Sequence, residues 1–247
     1  MTKTAVIGGT GLNHLAGLEQ RAEHALGTPW GAPSHPVISG RYAGSDCLFL
    51  ARHGSPAHLP PHRINYRANL WALRELGASS ILAVNAVGGI QQSMGPGHVV
   101  IPDQLIDYSW GRGHSYHDDD TVAVQHIDFT LPYDSGLRRQ LIAVAEALQL
   151  SFSGTGTHAV TQGPRLETAA EIRRLRQDGA DVVGMTGMPE ASLAAELGIP
   201  YASICLVVNP AAGMSEVEIT LESMGAVMEQ GALLIGELLS GFLQAQD

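Results

Sequence analysis

Turns rich in glycine and hydroxyl side chains follow short aliphatic runs of the sequence. Gly8-Gly9-Thr10-Gly11 follows the run at residues 4–7. Its glycines let backbone N–H groups approach an anion closely, and Thr10 offers a hydroxyl. The segment fits neither the G-x-G-x-x-G dinucleotide pattern nor a Walker loop, since no Gly-Lys-Ser/Thr follows. We predict an anion-binding turn here, and the alternative is a purely structural turn.

Three more strand ends carry groups that suit the same anion. Arg52 and His53 follow residues 47–51 and can supply a forked cation beside a second donor. Asn85 and the Ala86 N–H are predicted to face the anion, and Thr186 adds a hydroxyl. The alternative for Arg52 and His53 is a surface arginine beside a core histidine. The alternative for the Asn85 segment is a tight structural turn after residue 84.

Two polar side chains suit a flat heterocycle instead. Asn209 lies at the mouth of the apolar run 201–208, where a buried amide needs hydrogen-bond partners. Glu167 lies at a strand-to-helix junction. Its alternative role is a first-turn acid on a helix that begins near Thr168, favoured by the helix dipole. Met185 precedes Thr186 in the same turn, and its alternative role is to fill space in the hydrophobic core.

The sequence contains no pattern typical of a metal centre or a covalent nucleophile. His53, His58 and His62 are too loosely spaced, among prolines, to make a zinc site. No G-x-S-x-G elbow is present. We therefore expect no metal and no cofactor.

Strands must alternate with helices to bring these residues together. Continuously apolar or β-branched runs predict strands, and apolar residues at helical spacing predict helices. The pattern predicts one α/β domain over residues 1–247 with a mostly parallel or mixed central sheet, whose strand ends hold the ligand. Residues 110–120, irregular and rich in histidine, are expected to form a functional or subunit-contact loop. The predicted strands are residues 4–7, 47–51, 80–84, 98–101, 156–160, 181–183 and 201–208, and the predicted helices 66–76, 134–148, one from about 168, and 221–243.

Composition narrows the class of protein. With 45% hydrophobic residues among 247, the chain can bury a sizeable core. A formal charge of −10 argues against sequence-independent binding to nucleic acid phosphates. The absence of an apolar run of about 20 residues, and of a signal-peptide layout at the start, argues against a membrane partner and favours the cytoplasm. Cys47 and Cys205 are expected to be buried free thiols.

In order along the chain, these segments resemble the purine nucleoside phosphorylase and methylthioadenosine phosphorylase family, over nearly the whole length. The resemblance implies a single-domain α/β/α sandwich with a mixed sheet. It also implies a homo-oligomer, expected to be a trimer, with active sites at subunit contacts. The shared motifs are Gly8-Gly9-Thr10-Gly11, Arg52-His53-Gly54, Asn65-Tyr66-Arg67-Ala68-Asn69, Asn85-Ala86-Val87-Gly88-Gly89, Gly163-Pro164-Arg165, Gly184-Met185-Thr186 and Pro189-Glu190.

The resemblance assigns roles to individual residues. It places Met185 under a ribose, Leu166 against a purine ring, and His126 in the neighbouring subunit's site near the 5′ group, with a plain surface histidine as the alternative. Inorganic phosphate is then a co-substrate that attacks C1′ while the purine leaves. The implied phosphate ligands are Thr10, Arg52, His53, Asn85, Ala86 and Thr186.

Departures from the family pattern predict the substrate. Asn209-Pro210-Ala211 stands where methylthioadenosine enzymes carry Asp-x-Asp, and Glu167 stands where 6-oxopurine enzymes carry a glutamate that accepts from N1–H. Each mismatched buried polar group costs about 1–3 kcal/mol, so a hypoxanthine-type base is favoured over adenine. Leu221, where relatives bind the 5′-hydroxyl with a histidine, and Met224 predict an apolar 5′ pocket. Together these features predict S-methyl-5′-thioinosine as the substrate.

Other functions stay open at this point. The chain can be a methylthioadenosine phosphorylase, a general 6-oxopurine nucleoside phosphorylase, or a nucleoside-binding protein of the same fold without catalysis. Ala57 stands where relatives often have a histidine, and the sequence does not decide whether His58 replaces it.

Overall fold

The computed structural model describes residues 3–118, 123–216 and 219–246. Within them, strands and helices alternate as expected for an α/β protein. The strands are β1 Thr4–Gly8, β2 Glu19–His24, β3 Val37–Tyr42, β4 Ser45–Ala51, β5 Ser80–Gly89, β6 Val99–Val100, β7 Gln104–Asp107, β8 Phe152–Ser153, β9 Thr157–Val160, β10 Val182–Gly184 and β11 Tyr201–Pro210. The helices are α1 Tyr66–Glu75, α2 Ser135–Ala147, α3 Ala169–Gln177, α4 Glu190–Glu196 and α5 Leu221–Gln244, with a short 3-10 turn at Pro61–Arg63.

Strand β5 is the branch point of one mixed sheet. Its neighbours β1 and β11 run parallel to it, and β10 pairs antiparallel with its last residues. Since β4 is also parallel to β1, the carboxyl ends of β1, β4, β5 and β11 meet at one edge. The main path runs β2-β3-β4-β1-β5-β10-β9-β7, while β6 and β8 continue from β11.

Helices cover both faces of the sheet, because successive strand residues point to opposite sides. Val6 packs with α2 and α5 on one face, where Leu141 and Phe242 are fully buried. Ala5 and Ile7 pack with α1 and α4 on the other face. The predicted α/β/α sandwich with a mixed central sheet is therefore confirmed.

Side-chain caps fix where the predicted helices begin. The Asp134 carboxylate accepts from the Leu137 N–H before α2, at 2.8 Å. Thr168 and Glu171 form a reciprocal capping box before α3. The predicted helices over 66–76, 134–148 and 221–243 match α1, α2 and α5 to within one or two residues.

All seven predicted strands are present, but the sequence patterns missed four others and one helix. Strand β2 carries Glu-Gln-Arg-Ala-Glu-His, is exposed along most of its length, and forms the sheet edge beyond β3. Charged side chains are common on such edges because they discourage pairing with another chain, and they remove the apolar signal that marks a strand. The other missed elements are β3, β7, the two-residue β8, and α4, whose seven residues are too few to show a helical repeat.

One described helix reaches the length and hydropathy of a membrane span. It is Glu222–Gln244, with a mean hydropathy of 1.3 in its most apolar window. Its side chains Ile235, Leu238, Leu239 and Phe242 lie in the core against the sheet and α2. Core packing accounts for these four side chains, whereas Leu233 of the same helix is 74% exposed.

Both cysteines are free and buried, as predicted. Cys47 lies in β4 and Cys205 in β11. Burial raises the pKa of each thiol to about 12. Both side chains are therefore neutral, unreactive parts of the core.

Candidate active site

An open cavity of about 760 Å³ lies where the parallel strand ends meet. Of the predicted site residues, those that line it are Thr10, His53, Ala86, Leu166, Glu167, Met185, Thr186, Asn209, Ala211 and Met224. Four more lining residues belong to the motifs named from the sequence: Gly9, Val87, Gly88 and Gly184. The remaining lining residues, which were given no role from the sequence, are Pro61, Val183, Val208, Ala212 and Ile219.

The Gly9–Thr10 turn is pressed against the sheet. A Cβ on Gly9 would lie 2.5 Å from the Val84 carbonyl oxygen and 2.9 Å from Nη1 of Arg52. Gly11 adopts a φ of +86°, which favours glycine, and it packs on Met228 of α5. Glycine is thus required for steric reasons, and the turn brings Thr10 to the cavity.

Arg52 does not line the cavity, which corrects its prediction as a forked phosphate ligand. Its Nε and Nη2 atoms each donate to a carboxylate oxygen of Glu190 at 2.8 Å, and Nη1 donates to the Val84 carbonyl at 2.8 Å. Neither side chain of the pair has any exposed surface. The two guanidinium N–H groups that were predicted to bind phosphate therefore bind the Glu190 carboxylate. The alternative of a surface arginine is also wrong.

His53 lines the cavity as a neutral acceptor. Its Nδ1 donates to the Leu59 carbonyl at 2.7 Å, so Nε2 carries the lone pair. Burial lowers the pKa of His53, the bond to Leu59 opposes this effect, and the nearby Arg52 adds to the lowering.

Asn85 lies behind the cavity wall and holds Thr186, which lines it. The Thr186 hydroxyl donates to Asn85 Oδ1 at 2.8 Å, and Asn85 Nδ2 donates to the Ser203 hydroxyl at 2.7 Å. Asn85 is almost completely buried. The structure therefore places Ala86 and Thr186 at the cavity and Asn85 in a supporting position, not in the predicted ligand position.

This polar chain continues into the core. Ser203 contacts Cys205 at 3.3 Å, and His158 Nδ1 lies 3.7 Å from the Cys205 sulfur. The His158 ring supports the turn that carries Met185 and Thr186, because a Cβ on Gly184 would lie 2.6 Å from its Nε2. Among the residues that the structure describes, none is a hydrogen-bond partner of this buried Nε2. Burial, followed by the charge of Arg52, lowers the pKa of His158 to about 4.

Glu167 lines the cavity and is held by a hydrogen bond. Its Oε1 accepts from the Thr161 hydroxyl at 2.5 Å, which leaves Oε2 for a ligand. The N-cap of α3 is Thr168 and its first-turn acid is Glu171, so Glu167 precedes the helix. The alternative role of Glu167 as a first-turn acid is therefore wrong. Leu166 beside it is 44% exposed.

A β-bulge aims Asn209 at the cavity. The pairing of β11 with β5 shifts register between Val207 and Asn209. Asn209 Nδ2 donates to the Pro210 carbonyl at 2.6 Å. Because a carbonyl can only accept, this contact fixes the amide orientation and presents Oδ1 as an acceptor. Ala211 packs closely on Gly88.

Other predicted residues lie elsewhere in this single chain. His126 is exposed and does not line the cavity, so its role in a neighbouring subunit stays a prediction. His58 is exposed, contacts the Pro56 carbonyl and does not line the cavity. The Leu221 side chain lies outside the described residues, whereas Met224 and Ile219 line the cavity. Among the described residues, no group of three or more potential metal ligands is found.

The sequence analysis gave no role to Glu190 or His158. Pro189-Glu190 was noted as a shared motif, which was the only available signal for Glu190. His158 lies within a predicted strand whose apolar run masked it. Both act through partners that are distant in the chain, such as Arg52, 138 residues from Glu190.

Residues 3–244 match the family model described as the phosphorylase superfamily. The chain belongs to this superfamily. It is 53% identical to a probable S-methyl-5′-thioinosine phosphorylase of Pseudomonas syringae pv. tomato, over 99% of this chain and 100% of that one. It is 43% identical to a 6-oxopurine nucleoside phosphorylase of Pyrococcus furiosus, over 93% and 88% of the two chains.

The fold is shared with solved structures of the superfamily. A methylthioadenosine phosphorylase from Schistosoma mansoni, in complex with adenine, superposes with a TM-score of 0.95 and 28% identity, covering 100% of this chain and 92% of that one. A structure of the Schistosoma enzyme in complex with tubercidin gives a TM-score of 0.92 at 29% identity, with the same coverage.

The Arg52–Glu190 pair predicts a large stability effect. Glu190→Gln keeps the shape of the side chain but leaves a buried guanidinium without its counter-charge. We expect the free energy of unfolding to fall by about 3 kcal/mol or more. Urea denaturation measures it, with the exposed Glu75→Gln as a control that should leave the midpoint unchanged. An unchanged midpoint for Glu190→Gln would show that the pair contributes little.

His158 predicts a pH dependence. Below its ordinary pKa of 6.5 the unfolded chain takes up a proton, whereas the folded chain keeps the ring neutral down to about pH 4. The stability contributed by the neutral ring is therefore present above pH 6.5 and is lost as pH falls, by about 3 kcal/mol at pH 4. Denaturation of wild type and His158→Gln across this range should give a shallower pH slope for the variant, while the exposed His62→Gln keeps the wild-type slope.

Proposed function

We propose that the protein cleaves S-methyl-5′-thioinosine with inorganic phosphate, producing hypoxanthine and 5-methylthioribose 1-phosphate. The observation that carries this proposal is one cavity lined by two chemically different sets of side chains. We propose that Thr10, His53 and Thr186 form an anion end, and that Glu167 and Asn209 form a purine end. The relatives named for S-methyl-5′-thioinosine and 6-oxopurine nucleosides support it.

Phosphate chemistry fits neutral groups. Backbone N–H groups of the glycine turn and the Thr10 hydroxyl donate to phosphate oxygens, and the neutral Nε2 of His53 accepts the proton of hydrogen phosphate. The Thr186 hydroxyl donates its one hydrogen to Asn85 Oδ1, so we propose that it turns this hydrogen toward phosphate when the anion binds. Phosphate then stabilises the oxocarbenium character of the sugar and attacks C1′. No covalent intermediate with the protein and no cofactor is needed.

The purine must leave with a proton or a strong hydrogen bond at N7. Asn209 presents Oδ1 to a protonated N7, and the remaining hydrogen on Nδ2 can donate to a 6-oxo group. Glu167 Oε2 can accept from N1–H, since Oε1 is engaged by Thr161. Adenine has no hydrogen on N1, so its lone pair would face a carboxylate.

The 5′ end of the proposed substrate meets apolar groups. Ile219 and Met224 line the cavity near the start of α5, and the glycine turn contacts α5 through Met228. A methylthio group is favourable against such a wall, whereas a 5′-hydroxyl there lacks a partner. Leu221 is proposed to belong to this wall.

Two other activities have specific support. A general 6-oxopurine nucleoside phosphorylase is supported by the Pyrococcus furiosus relative. Methylthioadenosine phosphorolysis is supported by the shared fold of the Schistosoma mansoni enzyme. We favour the thioinosine substrate because Glu167 and Asn209 both suit a 6-oxo base.

Turnover of three nucleosides in phosphate buffer tests the proposal. We expect kcat/KM to be highest for S-methyl-5′-thioinosine and lower for inosine and methylthioadenosine. Glu167→Gln should reduce kcat/KM for the thioinosine about 10- to 100-fold, because a charged hydrogen bond to N1–H is lost. The exposed Glu146→Gln serves as control. Preference of the wild type for methylthioadenosine would refute the assignment.

We further propose a cytoplasmic homotrimer in which His126 serves a neighbouring site. Mixed oligomers of His126→Ala and Glu167→Ala chains test this, because a site with intact Glu167 can then receive His126 from the other chain. Activity should rise above that of either variant alone, with sedimentation giving the assembly size. No gain on mixing, or full activity of a 26.1 kDa monomer, would contradict shared sites.

A further inference from the structure

Arg112 binds two loops of the cavity at once. Its Nη1 donates to the carbonyl oxygens of Met185, at 2.9 Å, and of Met188. Its Nη2 donates to the carbonyls of Thr161, at 3.1 Å, and Gln162, at 2.9 Å. Its Nε donates to the Gln162 side-chain oxygen at 3.3 Å. The guanidinium thus holds both loops through separate nitrogen atoms.

No carboxylate takes part in this arrangement within the described residues. The nearby Asp107 is hydrogen-bonded to Ser109 and His114 instead. The Arg112 guanidinium also lies over the ring of Tyr66, 5.6 Å from its centroid, and Tyr66 is buried at the start of α1. An arginine whose hydrogen bonds go to backbone carbonyls contributes mainly to the position of those carbonyls.

The two loops carry the groups that face the proposed substrates. Thr161 donates to Glu167, at the base end of the cavity. Met185 is followed directly by Thr186, at the phosphate end, and both line the cavity. The two loops are joined directly by the Thr161 N–H bond to the Gly184 carbonyl at 2.8 Å, and beyond this bond by the side chain of Arg112, which does not itself line the cavity.

The segment that carries Arg112 is itself fixed. His114 Nδ1 donates to the Arg112 carbonyl at 2.9 Å, and His114 Nε2 contacts Asp107 at 3.2 Å. The Trp110 N–H donates to the side-chain oxygen of Gln162 at 3.0 Å, beside the Arg112 contact. Arg112 thus projects from an ordered turn and not from a free loop.

We infer that Arg112 is a positioning residue that holds the base loop, residues 161–167, and the phosphate turn, residues 184–188, at the separation that the reaction requires. This inference rests on the proposed phosphorolysis. Without the guanidinium, the bond from the Thr161 N–H to the Gly184 carbonyl at 2.8 Å still joins the two loops where they leave β9 and β10. The contacts that hold Gln162 to the Met185 and Met188 carbonyls are lost, so the loops beyond that bond are less firmly positioned. Both substrates then bind less well, although Arg112 touches neither.

The experiment compares Arg112→Met and Arg112→Lys with Arg138→Met in steady-state phosphorolysis. Arg138 is a matched control, because it donates to the Pro102 and Gly154 carbonyls at 2.8 and 2.6 Å and does not line the cavity. We expect Arg112→Met to raise the KM for nucleoside and the KM for phosphate at least tenfold each. Arg112→Lys should raise both KM values nearly as much, since an ammonium lacks the planar fork of donors.

Two further measurements separate positioning from a general loss of stability. Arg138→Met should lower Tm without changing either KM, and Glu167→Gln should raise the nucleoside KM alone. Millimolar guanidinium should partly restore the KM values of Arg112→Ala, as it fills the vacated position. If Arg112→Met does not fold, the test uses Arg112→Lys, which keeps charge and length. The same rise in both KM values is then expected.

The outcomes distinguish this inference from the function on which it rests. An active wild type whose two KM values are unchanged in the folded Arg112 variants would overturn the positioning role alone. A rise in only one KM would also overturn it, because the two loops would then not be coupled. A wild type that releases no base from any of the three nucleosides would overturn the proposed function, and the positioning role with it.

Discussion

A fully buried ion pair organises the site. Arg52 follows β4, Glu190 begins α4, and the pair adds contacts to the Val84 carbonyl of β5 and to the Tyr201 hydroxyl of β11, which donates to Glu190 at 2.9 Å. Burying either charge alone is costly, so the pair is stable only when these elements are assembled together. The glycine turn packs directly on Arg52, and so the position of Thr10 depends on the same pair.

We propose that the pair also affects how this acidic protein binds a phosphate dianion. With the Arg52 charge compensated by Glu190, the cavity offers backbone N–H groups, hydroxyls and a neutral His53. Such dipoles bind an anion without a free cation, and they leave a neutral acceptor for the phosphate proton. The core chain from Thr186 through Asn85 and Ser203 keeps one of these hydroxyls in place.

Selectivity among purines depends on few side chains in a shared framework. The backbone is nearly that of a methylthioadenosine phosphorylase, with a TM-score of 0.95 at only 28% identity. We propose that the purine edge differs chemically, with Asn209 and Ala211 at the two positions where the family resemblance implies acids, and with Glu167 adding a carboxylate. A change in these groups changes the base that is favoured while the strands that carry them stay in register.

The sequence by itself determined the α/β alternation, the seven apolar strands and the turns that line the cavity, because periodicity and glycine-rich strand ends are local properties. It also singled out Asn209 and Glu167, which line the cavity, since their types are visible without a structure, and their base-facing roles stay a proposal. It did not determine that Arg52 binds Glu190, that Asn85 supports Thr186 instead of facing the cavity, or that Arg112 joins two loops. Those contacts join residues between 49 and 138 positions apart, so only tertiary packing decided which partner each donor found.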